Sequence, residues 1–367
     1  MIKKILIATG GTGGHIYPAI ALAQQIGREI PNSQVMFVGG GLEENRYFDR
    51  NAFVSRSIDC GAFVNKSPLA IIRSLSNISK GLYQSLKLIR EFRPDVAVGF
   101  GSFYSFPPLV AAKLMSVPLV LHEANSIPGK VNRLLSKYAT ISTVHFPQTL
   151  PLLKGNTLEV GMPLRHEFTH STYSKVEAKQ YFGLDPDLPI VLIFGGSQGA
   201  QAINSLALQA IEYAQTGHKS ALQVIHLTGT SSSADKLRSA YAQQQIPAAV
   251  KSFEVQMAMA WRAADVVISR AGAGTIAEQL EFEVPAILIP FAAAADNHQE
   301  HNANFMVDNV GGAKKVLESE LNANLLGTHI AELLQVNTGT TMRHAMREYK
   351  QKSRSCDLCA VIKKIIM

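Results

Sequence analysis

Short runs of apolar, largely β-branched residues alternate along this chain with amphipathic stretches of helical period. The first run covers residues 2–8, and a glycine-rich turn and the helical pattern of residues 16–27 follow it. Residues 190–194 open the same series of features, which continues into a helical pattern over 200–212. Apolar strands alternating with helices are typical of parallel sheets that carry helices on both faces. The pattern therefore predicts an α/β protein.

A second set of features repeats in the same order. An aspartate-led strand at 95–99 precedes a Val-Pro strand at 117–121 by 22 positions. A matching strand at 265–269 precedes the Val-Pro strand at 284–288 by 19 positions. The duplication predicts two doubly wound, Rossmann-like α/β domains that face each other across a cleft.

The boundary between these domains is predicted at a Gly-Met-Pro segment, residues 161–163, which separates an apolar strand from a polar stretch. We expect an N-terminal domain over residues 1–162 and a C-terminal domain over 163–340. Residues 341–367 are basic and have a helical pattern. They are expected to form a C-terminal helix that packs back on the first domain.

Composition narrows the class of protein. Of the 367 residues, 47% are hydrophobic and 17% are charged, which is enough apolar material for a sizeable core. No apolar run approaches the ~18–20 residues that a spanning helix requires. Three cysteines do not make a disulfide framework, so a reducing cytoplasm is the expected compartment. Cys356 and Cys359 form a lone CxxC pair, which we interpret as structural or incidental.

The charge is unevenly distributed. The net charge is +7, but residues 1–165 hold 18 basic and 9 acidic residues, while the remainder holds 17 and 19. A basic half indicates a polyanionic partner or, equally, a solvated basic face. Because neither a Cys/His finger nor a Lys/Arg-rich run occurs in the sequence, nucleic acid is a disfavoured partner.

The two glycine-rich turns, residues 10–14 and 195–199, carry the candidate chemistry. A glycine turn between a strand and a helix allows backbone N–H groups to approach a phosphate, next to the positive end of the helix. Neither turn has the Gly-Lys-Ser/Thr of a P-loop. Ile16 occupies the position of the last small residue in a dinucleotide fingerprint, and glycines follow strand 34–38 where an acidic residue would hold ribose. NAD is therefore disfavoured, and a tight turn without a ligand remains the alternative.

His15 directly follows the first glycine turn. An imidazole at a phosphate-binding turn can take a proton from a hydroxyl, and the helix N-terminus disfavours the imidazolium form. A histidine that is merely hydrogen-bonded within the turn is the alternative. In the second half, Thr275 and Glu278 have the spacing of a helix capping box. A carboxylate there could equally accept both hydroxyls of a ribose, and the spacing does not decide between the two roles.

Polar clusters follow equivalent strands in the two halves. Residues 122–125 (His-Glu-Ala-Asn) follow strand 117–121, and residues 296–299 (Asp-Asn-His-Gln) occupy the matching place in the second half. Parallel sheets bind ligands at the carboxyl ends of their strands. The clusters suit a hydroxyl-rich ligand, although ordinary loop polarity would also account for them.

Together these motifs resemble the MurG family of peptidoglycan glycosyltransferases, within glycosyltransferase family 28. The likeness spans residues 3 to about 315 and rests on the following motifs in family order: Gly10-Gly11-Thr12-Gly13-Gly14-His15 with Pro18, His122-Glu123-Ala124-Asn125, Gly195-Gly196-Ser197-Gln198-Gly199-Ala200, Arg270-Ala271-Gly272-Ala273-Gly274-Thr275 with Glu278, and His298-Gln299 with Asn302-Ala303. The sequence departs from the family in the loop at residues 101–107, where bulkier residues replace glycines.

The resemblance implies an inverting enzyme that moves N-acetylglucosamine from UDP-GlcNAc to the 4-hydroxyl of the muramyl sugar of lipid I (undecaprenyl-pyrophosphoryl-MurNAc-pentapeptide), forming lipid II. His15 is the implied general base, and His122 and Glu123 are alternative bases or orienting groups. Residues implied in donor binding are Thr12, Gly13, Gly14 and Gly274 with Thr275 along the cleft, Arg165 and Ser197 at the diphosphate, Glu254 at uracil through its backbone, Glu278 at the ribose, and Asn125 and Gln299 at the sugar. Neither a metal nor another cofactor is expected.

Three rival functions remain open at this point. A UDP-sugar epimerase on the same fold would convert UDP-GlcNAc without an acceptor. A nucleotide-sugar-binding protein without catalysis would bind UDP-GlcNAc but release no UDP. An NAD oxidoreductase would bind NAD and not UDP.

The lipid acceptor also implies a peripheral position on the cytoplasmic face of the inner membrane, with its anionic surface as a partner. Apolar residues recur at helical spacing at Ile71, Leu75, Ile78, Leu82, Leu86 and Ile89. Basic residues recur every seven positions on the opposite side, at Lys66, Arg73, Lys80 and Lys87. A helix packed on its own domain explains this opposition better than a membrane-lying helix, whose basic residues flank its apolar face. Ser67-Pro68 and Gly81 are expected to break the segment.

Overall fold

The computed structural model describes residues 2–61, 67–170, 172–196, 199–217, 221–353 and 356–367. The chain divides into two compact units. Unit 1 comprises Met1–His166 and Ser353–Met367, and unit 2 comprises Glu167–Lys352. Each unit contains one parallel sheet with helices around it, which confirms the predicted duplicated α/β fold. The limits that the sequence predicts for the two domains, at 162/163 and 340/341, stay predictions.

Unit 1 is built on a seven-stranded parallel sheet of order β3-β2-β1-β4-β5-β6-β7. Its strands are β1 (Lys3–Ala8), β2 (Ser33–Gly39), β3 (Ser55–Ser57), β4 (Val96–Gly99), β5 (Leu119–Glu123), β6 (Ile141–Val144) and β7 (Thr157–Glu159). Its helices include α1 (Gly13–Glu29), α2 (Pro68–Phe92), α3 (Phe106–Leu114) and α4 (Lys130–Leu135), and α5 (His166–Thr169) begins at the boundary with unit 2.

Unit 2 has a six-stranded parallel sheet of order β10-β9-β8-β11-β12-β13. Its strands are β8 (Ile190–Phe194), β9 (Gln223–Leu227), β10 (Ala248–Lys251), β11 (Val266–Ser269), β12 (Ala286–Leu288) and β13 (Ala313–Lys315). Its helices are α6 (Lys175–Tyr181), α7 (Gln201–Gly217), α8 (Ser231–Gln243), α9 (Met257–Ala263), α10 (Ala273–Phe282), α11 (His298–Asn304), α12 (Ala323–Leu333) and α13 (Val336–Ser353). A single π-helical turn, Phe305–Val310, continues α11.

The two aspartates that the sequence repeat singled out make the same contact in each unit. Asp95 Oδ2 accepts a hydrogen bond from the backbone N–H of Lys4 at 2.7 Å, and Asp265 Oδ2 accepts one from Ile190 at 2.9 Å. In both cases the aspartate N–H also donates to the carbonyl of that same residue. Each aspartate therefore aligns the central two strands of its sheet at their N-terminal ends.

Strand alternation places the core of unit 1 on both faces of its sheet. Ile5 and Ile7 pack with α1, whereas Leu6 and Ala8 pack with residues of α2 and α3. Every one of these four side chains is fully buried. The sheet is thus apolar on two sides, as the continuous apolar runs predicted.

The chain end forms two helices. α13 belongs to unit 2, and the last helix, α14 (Leu358–Ile366), packs in unit 1 against α1. Lys363 Nζ lies 2.5 Å from Glu29 Oε2, and Lys3 donates to the carbonyl of Ile366. Cys359 is buried in the same core, and its thiol is free.

Helix α2 runs without a break through the positions where the sequence predicted interruptions. Ser67 caps it, because its hydroxyl accepts from the N–H of Ala70 at 3.3 Å. Gly81 does not interrupt the helix. A Cβ at this position would lie 1.9 Å from the carbonyl oxygen of Asp59. Gly81 thus allows α2 to approach the neighbouring backbone closely.

The apolar stripe on α2 divides into two parts. Leu82, Leu86 and Ile89 pack on the core of unit 1, as the packed-helix interpretation predicts. Ile71 and Leu75 are instead 37% and 51% exposed, and Ile72 beside the stripe is 63% exposed. Lys66 lies outside the described residues. Across the part of the chain that the structure describes, we find no helix that is both long enough and apolar enough to cross a membrane.

Candidate active site

The first glycine turn leads directly into α1. Thr12 occupies the N-cap, so Gly13, Gly14 and His15 form the first turn of the helix. Gly13 is buried, Thr12 and Gly14 are exposed, and His15 is partly exposed. Thr12 Oγ1 lies 3.5 Å from His15 Nδ1, and Thr9 Oγ1 donates to the carbonyl of His15 at 3.0 Å. The structure therefore brings the four predicted residues of this turn together at one helix N-terminus.

The loop at residues 101–107 approaches His15 from β4. Gly101 has φ +76°, and a Cβ on it would lie 3.7 Å from His15 Cδ2 and 3.3 Å from Asn132 Nδ2. Ser102 also has positive φ, at +72°, a conformation that favours glycine. The loop therefore places its backbone beside the imidazole, although it has fewer glycines than the family pattern.

His122 and Glu123 lie inside a strand instead of following one. The sequence predicted a strand over 117–121, but β5 runs from Leu119 to Glu123, so both residues are part of the sheet and are buried. His122 Nδ1 is 3.1 Å from the hydroxyl of Thr143 on the neighbouring strand. Because neither side chain reaches the surface, this geometry favours the orienting role over the role of alternative base.

The carboxylate of Glu123 organises the turn after β5. Its oxygens accept from the N–H of Asn125 at 3.0 Å, from the N–H of Gly129 at 2.9 Å and from Asn132 Nδ2 at 2.8 Å. Burial raises the pKa of the Glu123 carboxyl, and these hydrogen bonds offset part of that rise. Glu123 therefore fixes the backbone at Asn125, a predicted sugar ligand whose own side chain is partly exposed.

Two buried histidines lie at the carboxyl ends of neighbouring strands, His122 within β5 and His145 directly after β6. Burial lowers the pKa of His122 to about 3, with a contribution from nearby His145, and burial lowers that of His145 to about 4. His122 Nε2 and both ring nitrogens of His145 have no hydrogen-bond partner among the described residues. Both imidazoles are therefore neutral near pH 7.

The second glycine turn, between β8 and α7, is tightly packed. A Cβ on Gly199, which has φ +74°, would lie 2.3 Å from the carbonyl oxygen of Thr228. Only glycine therefore fits there. Ser197, the predicted diphosphate ligand of this turn, lies outside the described residues.

Glu278 is not part of a capping box. Helix α10 has Gly272 as its N-cap, so Thr275 lies within the first turn and Glu278 lies one turn further along. Glu278 Oε2 instead accepts a hydrogen bond from Trp261 Nε1 at 2.8 Å. Trp261, which is fully buried, is a partner that sequence reasoning missed, because the two residues come from separate helices.

The side chains of Glu254 and Gln299 each accept a hydrogen bond from a backbone N–H group of unit 2. Glu254 is buried; its carboxylate accepts from Lys251 Nζ at 2.6 Å and from the N–H of Gln256 at 2.7 Å. Burial alone would raise the pKa of Glu254, but these hydrogen bonds bring it below its usual range. Gln299 Oε1 accepts from the N–H of Phe291 at 3.0 Å.

Arg165, a predicted diphosphate ligand, lies at the end of the first segment of unit 1. Its guanidinium carbon is 5.3 Å from the ring centroid of Tyr17 on α1. Tyr17 lies beside the first glycine turn, since a Cβ on Gly13 would be 2.9 Å from its ring. The structure thus brings Arg165 near Thr12–His15, a proximity that the sequence did not predict.

Some of the predicted residues lie together within each unit. Unit 1 brings together the first glycine turn, Arg165 and the Glu123–Asn132 pair, while unit 2 holds Gly274 and Thr275 in the first turn of α10 ahead of Glu278. Among the described residues, no group of three or more His, Cys, Asp or Glu side chains lies close enough to hold a metal ion.

Known proteins match this chain along nearly its whole length. A model of the glycosyltransferase family 28 N-terminal domain matches residues 5–143, and one of the family 28 C-terminal domain matches residues 190–357. The crystal structure of MurG from Acinetobacter baumannii has a TM-score of 0.71 at 26% identity, covering 99% of this chain and 98% of that one. A UDP-glucose:anthocyanidin 3-O-glucosyltransferase solved with UDP has a TM-score of 0.69 at 14% identity and shares the fold, covering 100% and 99%.

Two Rossmann-type sheets, each with a glycine turn between its first strand and the helix that follows, define a two-domain glycosyltransferase of the GT-B class. The chain belongs to glycosyltransferase family 28. One relative, from Protochlamydia amoebophila, is 46% identical over 99% of this chain and 96% of its own length. Another, from Chlamydia felis, is 34% identical, with 96% of each chain covered. Both are named UDP-N-acetylglucosamine–N-acetylmuramyl-(pentapeptide) pyrophosphoryl-undecaprenol N-acetylglucosamine transferase.

Proposed function

We propose that this chain transfers N-acetylglucosamine from UDP-GlcNAc to the 4-hydroxyl of the muramyl sugar of lipid I and so forms lipid II for peptidoglycan. The observation that carries the proposal is the 46% identity, over 99% of the chain, with the Protochlamydia transferase of that name. The rival epimerase and non-catalytic binding functions have no comparable support.

On the acceptor side, His15 is the proposed general base. Its partly exposed imidazole follows the first glycine turn at the N-terminus of α1, where an acceptor hydroxyl can approach it and give up its proton. Glu123 and His122 are proposed to act indirectly. Glu123 fixes the backbone that presents Asn125, and His122 fills the buried strand end beneath it.

On the donor side, the nucleotide is proposed to bind unit 2. Glu278, oriented by the indole N–H of Trp261, would accept the two ribose hydroxyls, and the backbone beside Glu254 would contact uracil. The first turn of α10, with Gly274 and Thr275, offers backbone N–H groups and a helix dipole to the departing diphosphate.

The remaining donor ligands complete a direct displacement that inverts the anomeric centre. At the diphosphate, Arg165 is proposed to act through its charge and Ser197 through its hydroxyl. Asn125 and Gln299 are proposed to hydrogen-bond the sugar, and Thr12 to Gly14 to line its path. Preorganised donors aimed at a developing charge commonly supply a large share of the rate enhancement.

The decisive experiment is UDP release from UDP-GlcNAc with and without lipid I. A transferase releases UDP only with the acceptor, an epimerase converts UDP-GlcNAc without it, and a binding protein does neither.

His15→Ala is expected to lower turnover by ~10²–10⁴ while UDP affinity stays within about two-fold. His344→Ala, a change to an exposed histidine of α13, serves as the matched control. Normal turnover by His15→Ala would remove His15 from the mechanism.

We further propose that unit 1 binds reversibly to an anionic membrane surface, where the protein reaches its lipid substrate. The support is the exposed apolar start of α2, Ile72 and Leu75, together with Arg73 and Lys80 on the same helix and the basic excess of residues 1–165. Basic residues near anionic lipid contribute ~1 kcal/mol each. Ile72→Asp should weaken sedimentation with phosphatidylglycerol vesicles, whereas Val336→Asp in unit 2 should not. If neither Ile72→Asp nor added salt weakened binding to the vesicles, this result would contradict the proposal.

A further inference from the structure

Unit 2 contains a cavity of about 190 Å³, and its described lining residues include none from either glycine turn. It lies among α6, α9, α10 and α13, and the side chains that matter for its chemistry are Tyr173, Lys175, Trp261, Arg262, Phe282 and Arg343. Trp261 and Phe282 stack with an interplanar angle of 9° and form an aromatic wall. One ordered water needs only ~10–15 Å³ of such space, so the cavity has room for a small anion.

The charges around this cavity are of one sign. Three cationic side chains line it, and none of its described lining residues is acidic. Lys175 is 2.5 Å from Asp265 Oδ1, so much of its charge is already compensated. Arg343 donates to the carbonyl of Asp265 at 3.2 Å, and no carboxylate among the described residues forms an ion pair with its guanidinium. Arg262 and Arg343 are therefore the groups able to attract an anion.

Arg262 has a donor that the fold does not use. Its Nε is buried and has no hydrogen-bond partner in the part of the chain that the structure describes. The guanidinium carbon lies 5.2 Å from the centroid of Phe282, so the ring supports the side chain from one side. A buried donor without an acceptor costs ~1–3 kcal/mol, so this side chain, which lines the cavity, has hydrogen-bonding capacity that the described fold leaves unmet.

We propose that this cavity binds a small phosphate-type oxyanion, inorganic phosphate or pyrophosphate, held mainly by Arg262 and Arg343. The guanidinium fork matches the oxygens of a phosphate in pairs.

The position of Trp261 connects this anion cavity to the nucleotide site. One part of the indole lines the cavity, while its Nε1 donates to Glu278. An anion that fixes Arg262 and the indole also fixes the orientation of the Glu278 carboxylate. This step rests on the proposed function, since it takes Glu278 as the ribose ligand. By linkage, the anion and UDP change each other's affinity by the same factor.

Trp261 is the only tryptophan in the chain, so intrinsic fluorescence reports directly on the cavity wall. The full-length protein is titrated with inorganic phosphate and, separately, pyrophosphate, at an ionic strength held constant with chloride. We expect the fluorescence of Trp261 to change and to reach saturation as the anion is added. Arg262→Gln should raise the dissociation constant at least ~10-fold, as loss of a charged hydrogen bond implies. Arg343→Gln, an independent variant, should act in the same direction, and the surface change Lys236→Gln should have no effect.

Three results would overturn the anion site: no change beyond that caused by chloride, an unaltered dissociation constant in both arginine variants, or complete competition by saturating UDP. Competition by UDP would place the anion in the nucleotide site instead. Phosphate binding that persists at saturating UDP and weakens in Arg262→Gln supports the proposal. Acceptor-dependent UDP release, measured without phosphate, tests the proposed function separately, so failure of one is distinguishable from failure of the other.

Discussion

The buried, neutral histidines predict a specific sensitivity of unit 1 to acid. An unfolded histidine has a pKa near 6.5, whereas burial lowers the pKa of His145 to about 4. Between these two values the unfolded chain binds a proton that the native protein does not. The stability contributed by a neutral His145 is therefore fully present above pH 6.5 and is lost as the pH falls toward 4. At pH 5 the loss is ~2 kcal/mol for this one residue.

The test replaces His145 with leucine, which is similar in volume and cannot titrate. Because both ring nitrogens of His145 lack partners among the described residues, the change removes no hydrogen bond seen in the structure. Melting temperatures are measured at pH 7.5 and pH 5.0 by circular dichroism. The fall in melting temperature between the two pH values should be ~4–8 °C smaller in His145→Leu than in the wild type. His344→Leu should leave the fall unchanged, since that imidazole is exposed. Equal falls in all three proteins would refute the reasoning.

Three further predictions concern local geometry. Trp261→Phe retains an aromatic ring but removes the donor to Glu278, so UDP affinity measured by calorimetry should fall ~3–10-fold; unchanged affinity would deny the indole a positioning role. Gly199→Ala should cost at least ~2 kcal/mol more stability than Gly183→Ala, because both have positive φ but only Gly199 has a backbone oxygen in the way, and equal losses in urea denaturation would contradict this. Ser102→Gly should raise the melting temperature slightly by relieving a positive φ, and a lower value would argue against strain.

The duplicated architecture could be predicted from the sequence because it depends on local, repeated signals. Apolar runs fix the buried strands, glycine turns fix the starts of α1 and α7, and Asp95 and Asp265 recur at the same place in each half. The structure adds the reason for the aspartates, which align the central strands of each sheet. Positions that obey a local rule, such as the glycine turns, were therefore predictable.

The roles of the site residues depend on contacts that sequence spacing does not encode. Thr275 and Glu278 have capping-box spacing, yet the helix begins two residues before Thr275. His122 and Glu123 were expected in a loop, but hydrogen bonding to β6 extends the strand through them and buries both. For β5 it was the neighbouring strand, and not the local sequence, that set the boundary.

The sequence by itself determined the two parallel sheets, the positions of both glycine turns and membership of a glycosyltransferase family, because periodicity and motif spacing are properties of contiguous residues. Only the tertiary structure decided which side chains meet across helices and strands. The indole of Trp261 on Glu278, Asn132 on Glu123 and the anion cavity at Arg262 all join residues from separate elements. Such pairs depend on how packed elements are placed relative to one another, so no single segment contains the information that specifies them.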